Sequence, residues 1–306
     1  MGCNAVSYTH LKADKCPFFY FSDLIIGETT CDAKKKMYEY LSEFKPIHVL
    51  QLPNRQDEAG YQLWKQEVIR AKEALEKQFE TTISEEKIRA GIRLKNEERK
   101  AAYELFELMK LDPVPMMGYD MFKVLYGASF KFEKDEIPGD IRKVIAQVKE
   151  EYAKEKKIEH RPRIILTGCP IGGATEKVIQ AIENNGGVVV GYENCVGFKN
   201  YNNLVDEENP DVYDALARRY LNIGCSIMTP DQNRYDLLDQ VIDEYRADAV
   251  VEMTLQACHT YNVESYGIKR FVNETKKLPY IAIETDYSQS DLGQLNTRLA
   301  AFLEML

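Results

Sequence analysis

From Arg163 to the C-terminus, short apolar runs rich in β-branched residues alternate with segments of helical periodicity, and this alternation constrains the fold more than any other feature of the chain. RIILTG, VVVGYE, DAVVEM and YIAIETD read as strands. ATEKVIQAIENNG, DVYDALARRYLN, DLLDQVIDEYR, VESYGIKRFVNETK and LGQLNTRLAAFLEML carry apolar residues at helical spacing. Strands that alternate with helices argue a parallel sheet covered on its faces, so residues 161–306 are expected to form a doubly wound α/β domain.

The N-terminal part repeats the theme in shorter form. PFFYFSDLIIG is aromatic and β-branched and reads as a strand. ETTCDAKKKMYEYLSEF turns helical through Met37, Tyr38 and Leu41, and IHVLQLP follows as a strand ended by Pro53. This strand–helix–strand unit is a building block of parallel sheets and places a partial α/β domain in residues 1–60. Residues 61–160 differ, with many charges and little Gly or Pro. Two long amphipathic helices are expected, YQLWKQEVIRAKEALEKQF and SEEKIRAGIRLKNEERKAAYELFELMK, with Thr82 and Glu85 at capping-box spacing. LDPVPMMGYD ends them, and GDIRKVIAQVKEEYAKEKKIEH is a further charged helix. The expected architecture is α/β: two doubly wound (Rossmann/flavodoxin-like) parallel-sheet domains, the first incomplete, with a long helical insertion between them.

The bulk properties exclude several functions. A hydrophobic share of 44% supports a real core, and a net charge of -9 repels nucleic acid and anionic membrane. No run reaches eighteen apolar residues, as a spanning helix would need. MGCNAVSYTHLKADK lacks the apolar core of a signal peptide, so a cytoplasmic location is the expectation. There is no GxSxG or HExxH, and only four histidines are present, His10, His48, His160 and His259. The loop from Gly168 to Gly173 leads into a helix but lacks the Lys-Ser/Thr of a P-loop, so no bound nucleotide is expected.

Seven cysteines remain: Cys3, Cys16, Cys31, Cys169, Cys195, Cys225 and Cys258. No CxxC pair occurs. Four of them follow predicted strands, namely Cys31, Cys169, Cys195 and Cys258. That is where open α/β sheets bind ligands. A thiol opening a helix is favoured as thiolate by the unpaired N–H groups there. Thiolate is the form that ligates iron. Placement alone does not choose among the four. Cys225 fits better as a small buried residue beneath a loop. His259 either donates to a sulfur from beside Cys258 or is a polar loop residue, and Glu284 and Asp286 either face a pocket or cap the following loop.

DKCPFFYFSDLIIGETTCDAKKKMYEYL resembles the 2-hydroxyacyl-CoA dehydratase and benzoyl-CoA reductase superfamily. It looks closest to the double-cubane cluster proteins. LTGCPIGGATEKVIQAIENNGG, YENCVGFKNY, CSIMTPDQNR, ADAVVEMTLQACHTYN and IAIETDYSQSDLGQLNTRLAAFLE follow in order, so the resemblance runs from about Ser7 to the C-terminus. It implies an iron–sulfur cluster, [4Fe-4S] or double-cubane [8Fe-9S], held by three cysteines. Carried over, these are Cys31, Cys258 and, upstream, Cys3, with Cys16 as the alternative for the third. Catalytic residues beyond the cluster ligands are not assigned. The resemblance implies a partner, an ATP-dependent iron–sulfur activator that injects a low-potential electron, and a homodimer or a heterodimer with a paralogous subunit. Three activities follow: a reductase of small molecules, a subunit that eliminates water from a 2-hydroxyacyl-CoA through a ketyl radical, or a non-catalytic fragment. The last arises because family members carry opening strands before this point, which implies an N-terminally truncated chain.

Overall fold

The computed structural model describes residues 16–169 and 172–306. They form an α/β fold organised as two compact units, one made of the described residues within 1–93 and 205–231 and the other of those within 94–204 and 232–306. The first unit is therefore discontinuous in sequence.

Within the first unit, α1 (Pro17–Phe21) leads to β1 (Ile25–Glu28), α2 (Asp32–Leu41) and β2 (Ile47–Leu50). β1 and β2 pair in parallel, with Ile25 opposite Ile47 and Glu28 opposite Leu50. This is the expected strand–helix–strand unit, but the first strand is shorter than its apolar run. Pro17 stands at the first helical position, where its fixed φ suits a helix and its missing N–H costs nothing. The Tyr20 N–H donates to the Cys16 carbonyl at 3.0 Å. Phe19, Met37, Tyr38 and Leu41 form a small core, with Cys16, Ile25, Ile47 and Val49 against it. Gly27 is required here, since a Cβ would stand 2.2 Å from the Tyr38 ring.

The long helix α3 (Glu58–Phe79) starts at Asp57, whose carboxylate accepts the Gly60 N–H at 2.9 Å. In the same unit Trp64 packs with Leu50, Ala217, Leu221 and Met228. The unit boundary then falls inside α4 (Glu85–Leu108).

The second unit uses the rest of α4 with α5 (Gly118–Ser129) and α6 (Ile137–Lys154). It continues through β3 (Arg163–Gly168), α7 (Gly172–Asn184), β4 (Val188–Glu193) and the short α8 (Phe198–Tyr201). The chain crosses to the first unit for α9 (Val212–Leu221), then returns with α10 (Gln232–Glu244), β5 (Ala249–Leu255), α11 (His259–Arg270), β6 (Tyr280–Thr285) and α12 (Leu292–Leu303). The four strands are parallel in the order β4-β3-β5-β6. Every residue of β3, β4 and β5 is buried, as in a sheet covered on both faces. The core joins Ile164, Ile165, Val189, Val250 and Val251 to Leu105, Phe106, Met121 and Phe122 from the helices.

Helix α5 was not legible as a helix in the sequence. Its N-terminal N–H groups are satisfied from afar. Glu183 accepts Gly118 N–H at 2.7 Å, Tyr119 N–H at 3.1 Å and Val189 N–H at 3.2 Å. Burial pushes the Glu183 carboxyl up to about 7 against the pull of those three donors.

Candidate functional site

The strand order reverses between β3 and β5. From β3 the chain moves outward to β4, then returns to the other side of β3 to lay down β5 and β6. In doubly wound sheets the crevice at such a switch lies beyond the carboxyl ends of the strands and takes the ligand. Two cysteines occupy it. Cys169 follows the last residue of β3, and Cys258 caps the N-terminus of α11 just after β5.

Gly168 makes the approach possible. It adopts φ +108°, and a Cβ there would stand 2.0 Å from the Met253 carbonyl. The Cys169 N–H donates to that carbonyl at 2.8 Å, and the Leu255 N–H points at the Cys169 sulfur at 3.5 Å. On the β5 side, Ala257 at φ +66° and a bond from the Cys258 N–H to the Leu255 carbonyl (2.9 Å) turn the chain back sharply. Cys169 and Cys258 thus both meet Leu255. The Cys169 thiol, together with the Tyr261 N–H and the Thr260 hydroxyl, holds the Cys258 sulfur below the usual thiol range although burial opposes it. The Cys258 sulfur, then burial, pushes the Cys169 thiol up. Cys258 is half-buried and Cys169 is 2% exposed.

Beneath the pair lies a layer of buried charge. Thr167 of β3 stands in register with Glu193 of β4 on one side and Glu252 of β5 on the other. Arg234, from α10, spans all three: it donates to Thr167 at 3.0 Å and Glu252 at 2.9 Å, and lies 3.5 Å from Glu193. It also pairs with Glu264 of α11 and covers the Tyr261 ring at 4.8 Å. Lys199 of α8 adds a 3.0 Å ion pair to Glu193 and donates to the Tyr261 hydroxyl at 3.2 Å. Burial opposes the Arg234 charge, but Glu193, Glu252, Tyr261 and Glu264 outweigh it and hold the guanidinium charged. Burial raises the Glu252 carboxyl, with Arg234 and Tyr280 pulling it back. The first two turns of α11, whose cap is Cys258, thus rest on two buried cations.

Cys31 occupies the matching position in the first unit, as the N-cap of α2 after β1. Its carbonyl accepts the Lys35 N–H at 3.1 Å, and Lys34 lies near it, 4.0 Å from Glu28. Burial works against the Lys34 ammonium, but Tyr38, Glu28 and Cys31 together raise its pKa. Neither Cys31 nor Cys258 makes a side-chain capping bond to its own helix. Both sulfurs are partly accessible at helix N-termini, and their donor chemistry fits iron ligation.

The remaining expected residues separate. Cys3 lies outside the described residues, as do Pro170 and Ile171 of the Gly168–Gly173 loop. Cys16 is half-buried against Phe19, Met37, Tyr38 and Leu41, which matches a packing role. Cys195 is exposed after β4, and Cys225 packs near Leu221 and Met228. His259 is exposed at the first position of α11. Asp286 caps its own loop by accepting the Ser288 N–H, and Glu284 accepts from Asn262. Among the described residues no three His, Cys, Asp or Glu side chains converge to hold a metal ion, and no helix is long and apolar enough to cross a membrane.

Sequence reading missed the Arg234 layer and the meeting of Cys169 and Cys258 at Leu255. A usable signal was there: Glu193 and Glu252 are single carboxylates in strands that are otherwise apolar.

The family described as 2-hydroxyglutaryl-CoA dehydratase, D-component, matches residues 2–306. The chain is 54% identical over 301 residues to the Escherichia coli (strain K12) protein named "Putative dehydratase subunit YjiM", covering 98% of this chain and 78% of that one. It is 26% identical over 283 residues to the (R)-phenyllactyl-CoA dehydratase beta subunit of Clostridium sporogenes, covering 90% and 73%.

Proposed function

The chain belongs to the 2-hydroxyglutaryl-CoA dehydratase D-component family, and from that premise we propose that it is the cluster-holding redox subunit of a 2-hydroxyacyl-CoA dehydratase-type enzyme. The observation that carries this reading is Cys258. Its sulfur stands at a helix N-terminus, at the switch point of a doubly wound sheet, with a neighbouring thiol favouring its ionised form. Cys258 and Cys31, with Cys3 as the third ligand, hold the iron–sulfur cluster in this proposal. When bound, the cluster supplies a one-electron reductant of low potential.

The chain's own residues hold and orient the sulfurs. Arg234 and Lys199 fix the first turns of α11 through Glu264 and Tyr261, and so fix the direction of Cys258. Cys31 is presented by α2, with the Lys34 ammonium beside it. The sequence carries no P-loop, so in this reading ATP hydrolysis belongs to a separate activator that delivers the electron. Both named relatives are described as subunits, which supports a paralogous partner chain.

The test is anaerobic reconstitution of the whole chain with iron and sulfide. Bound iron is expected, with its loss in Cys258→Ala and Cys31→Ala while circular dichroism is unchanged. A chain that stays colourless and iron-free would overturn the reading. The TTCD stretch around Cys31 favours a second reading, a reductase of small molecules. Titration of the iron-loaded chain, with its partner subunit, against 2-hydroxyacyl-CoA esters separates the two, because only the dehydratase reading requires those esters to bind.

A further inference from the structure

We propose that the loop between β6 and α12, residues 286–291, selects the acyl group of the substrate, with Tyr287 as its contact residue and Lys177 as the residue that positions it. The class selected is a 2-hydroxyacyl thioester whose acyl chain ends without charge. This inference rests on the dehydratase reading above and names the substrate class of the same crevice.

The loop leaves β6 at Thr285, whose carbonyl accepts the Gln256 N–H from the end of β5 at 2.9 Å. It therefore stands beside the turn that carries Cys258, at the carboxyl ends where doubly wound sheets take their ligands. Lys177 reaches it from α7, the helix that follows β3. Since β5 lies between β3 and β6, this lysine links the two limbs of the chain that flank β5.

The Lys177 side chain is 2% accessible. Its ammonium donates to the Asp286 carbonyl at 3.0 Å, the Ser288 carbonyl at 2.8 Å and the Asp291 carboxylate at 2.6 Å. An ammonium has three donors, so all of them are committed to this one loop. The two carbonyls flank Tyr287. The Asp286 carboxylate also accepts the Ser288 N–H at 2.7 Å, which closes a turn around the same residue. The Thr285 hydroxyl donates to Asp291 at 2.5 Å and so ties the loop's far end to its start. Burying a charge is costly unless it is paired, and here the pairing fixes the shape of a loop. Binding residues sit on loops that a rigid scaffold fixes. Tyr287, 40% exposed, is the aromatic residue this loop holds at the surface.

Charge decides which acyl group suits it. The Lys177 charge is buried against Asp291 and its donors are spent, so it gives a ligand no cation. Glu284 is exposed and Asp286 half-buried, both within three residues of Tyr287. A carboxylate at the end of an acyl chain is repelled there. An aliphatic or aromatic chain instead meets the apolar face of the ring.

The experiment uses the full chain with its partner subunit, kept free of air and without activator or ATP, so that binding is read without turnover. Calorimetric titration compares (R)-2-hydroxy-4-methylpentanoyl-CoA with (R)-2-hydroxyglutaryl-CoA, and free coenzyme A is the control. The first ester is expected to bind about ten-fold more tightly. Tyr287→Ala should weaken it by up to about ten-fold and leave free coenzyme A unchanged. Glu284→Gln with Asp286→Asn keeps the acceptors for Asn262 and Ser288 but removes the charges. This double variant should strengthen binding of the second ester and not of the first. Lys177→Met should weaken the first ester as Tyr287→Ala does and open the loop to chymotrypsin at Tyr287. If Lys177→Met does not fold, the Tyr287 and charge variants decide. Equal or tighter binding of the carboxyl-ended ester by the unaltered chain would overturn the proposal alone, and so would a Tyr287→Ala loss shared by free coenzyme A. If neither ester nor coenzyme A binds, the proposal fails together with the dehydratase reading.

Discussion

Cys31 and Cys258 share one local design and differ in everything behind it. Each ends a parallel strand and caps the helix that follows, without a bond from its sulfur to that helix. Behind Cys31 stand two strands of four residues and a core of four buried side chains. Behind Cys258 stand four strands, three of them wholly buried, and a layer of charge locked by Arg234. The difference teaches that the same strand-end, helix-capping position can stand on foundations of very different depth.

The largest expected effect tests the deeper side of this comparison. Arg234→Met leaves Glu193, Glu252 and Glu264 without their shared cation. Breaking a buried ion pair on one side costs about 3–5 kcal/mol, read as a fall in the urea midpoint. Lys34→Met, the matching change beside Cys31, removes a half-exposed pair with side chains 31% and 44% accessible, so a change below about 1 kcal/mol is expected. Equal effects would break the comparison.

A middle-sized effect comes from Glu183. Its folded pKa, about 7, lies above that of an unfolded glutamate. The folded state therefore holds the proton more tightly, so the contribution to stability is fully present below pH 4.5 and is lost as pH rises towards 7. Glu183→Gln should flatten a slope worth up to about 3 kcal/mol across that window, measured as denaturant midpoint against pH. An unchanged slope would refute the assignment to this carboxyl.

The smallest effects concern the caps. Asp57 caps α3 with a bond to the Gly60 N–H, and Asp57→Ala should cost about 1 kcal/mol. Cys31 makes no such bond, so Cys31→Asp should add about 0.5–1 kcal/mol to stability and, on the cluster reading proposed above, lower iron retention. A thermal melt and an iron assay on one sample read both. A destabilised Cys31→Asp would show that its sulfur packs rather than waits.

The α/β alternation after Arg163 was legible because strands buried on both faces must be apolar along their whole length. RIILTG and VVVGYE appear in the structure as strands with the residues expected, and YIAIETD appears as a partly buried strand that ends one residue earlier, at Thr285. Pro17–Phe21 misled because its aromatic residues favour strands, while Pro17 favours a helix start more locally. Helix α5 was hidden behind Pro113, Pro115 and Gly118, and its N-terminus is satisfied by Glu183, 65 residues on. Periodicity cannot see such a partner. The same holds at the site. The strand-end positions of Cys31 and Cys258 could be read directly, but the approach of Cys169 to Leu255, beside Cys258, exists only once β3 and β5 are neighbours across the switch. Arg234 reaches Glu252, 18 residues away, and Thr167, 67 away, for the same reason.

The discontinuity of the first unit has a consequence on the ribosome. α3 finds its partner helix only when Val212–Leu221 has left the exit tunnel. Between the emergence of Trp64 and that of Leu221 lie more than 150 residues, which at ordinary translation rates is roughly 10–30 s. Through that interval Trp64 lacks the Ala217 and Leu221 side chains that later cover it. The nascent chain is most in need of a chaperone then, and a ribosome stalled before residue 212 would present that apolar face for as long as it is stalled.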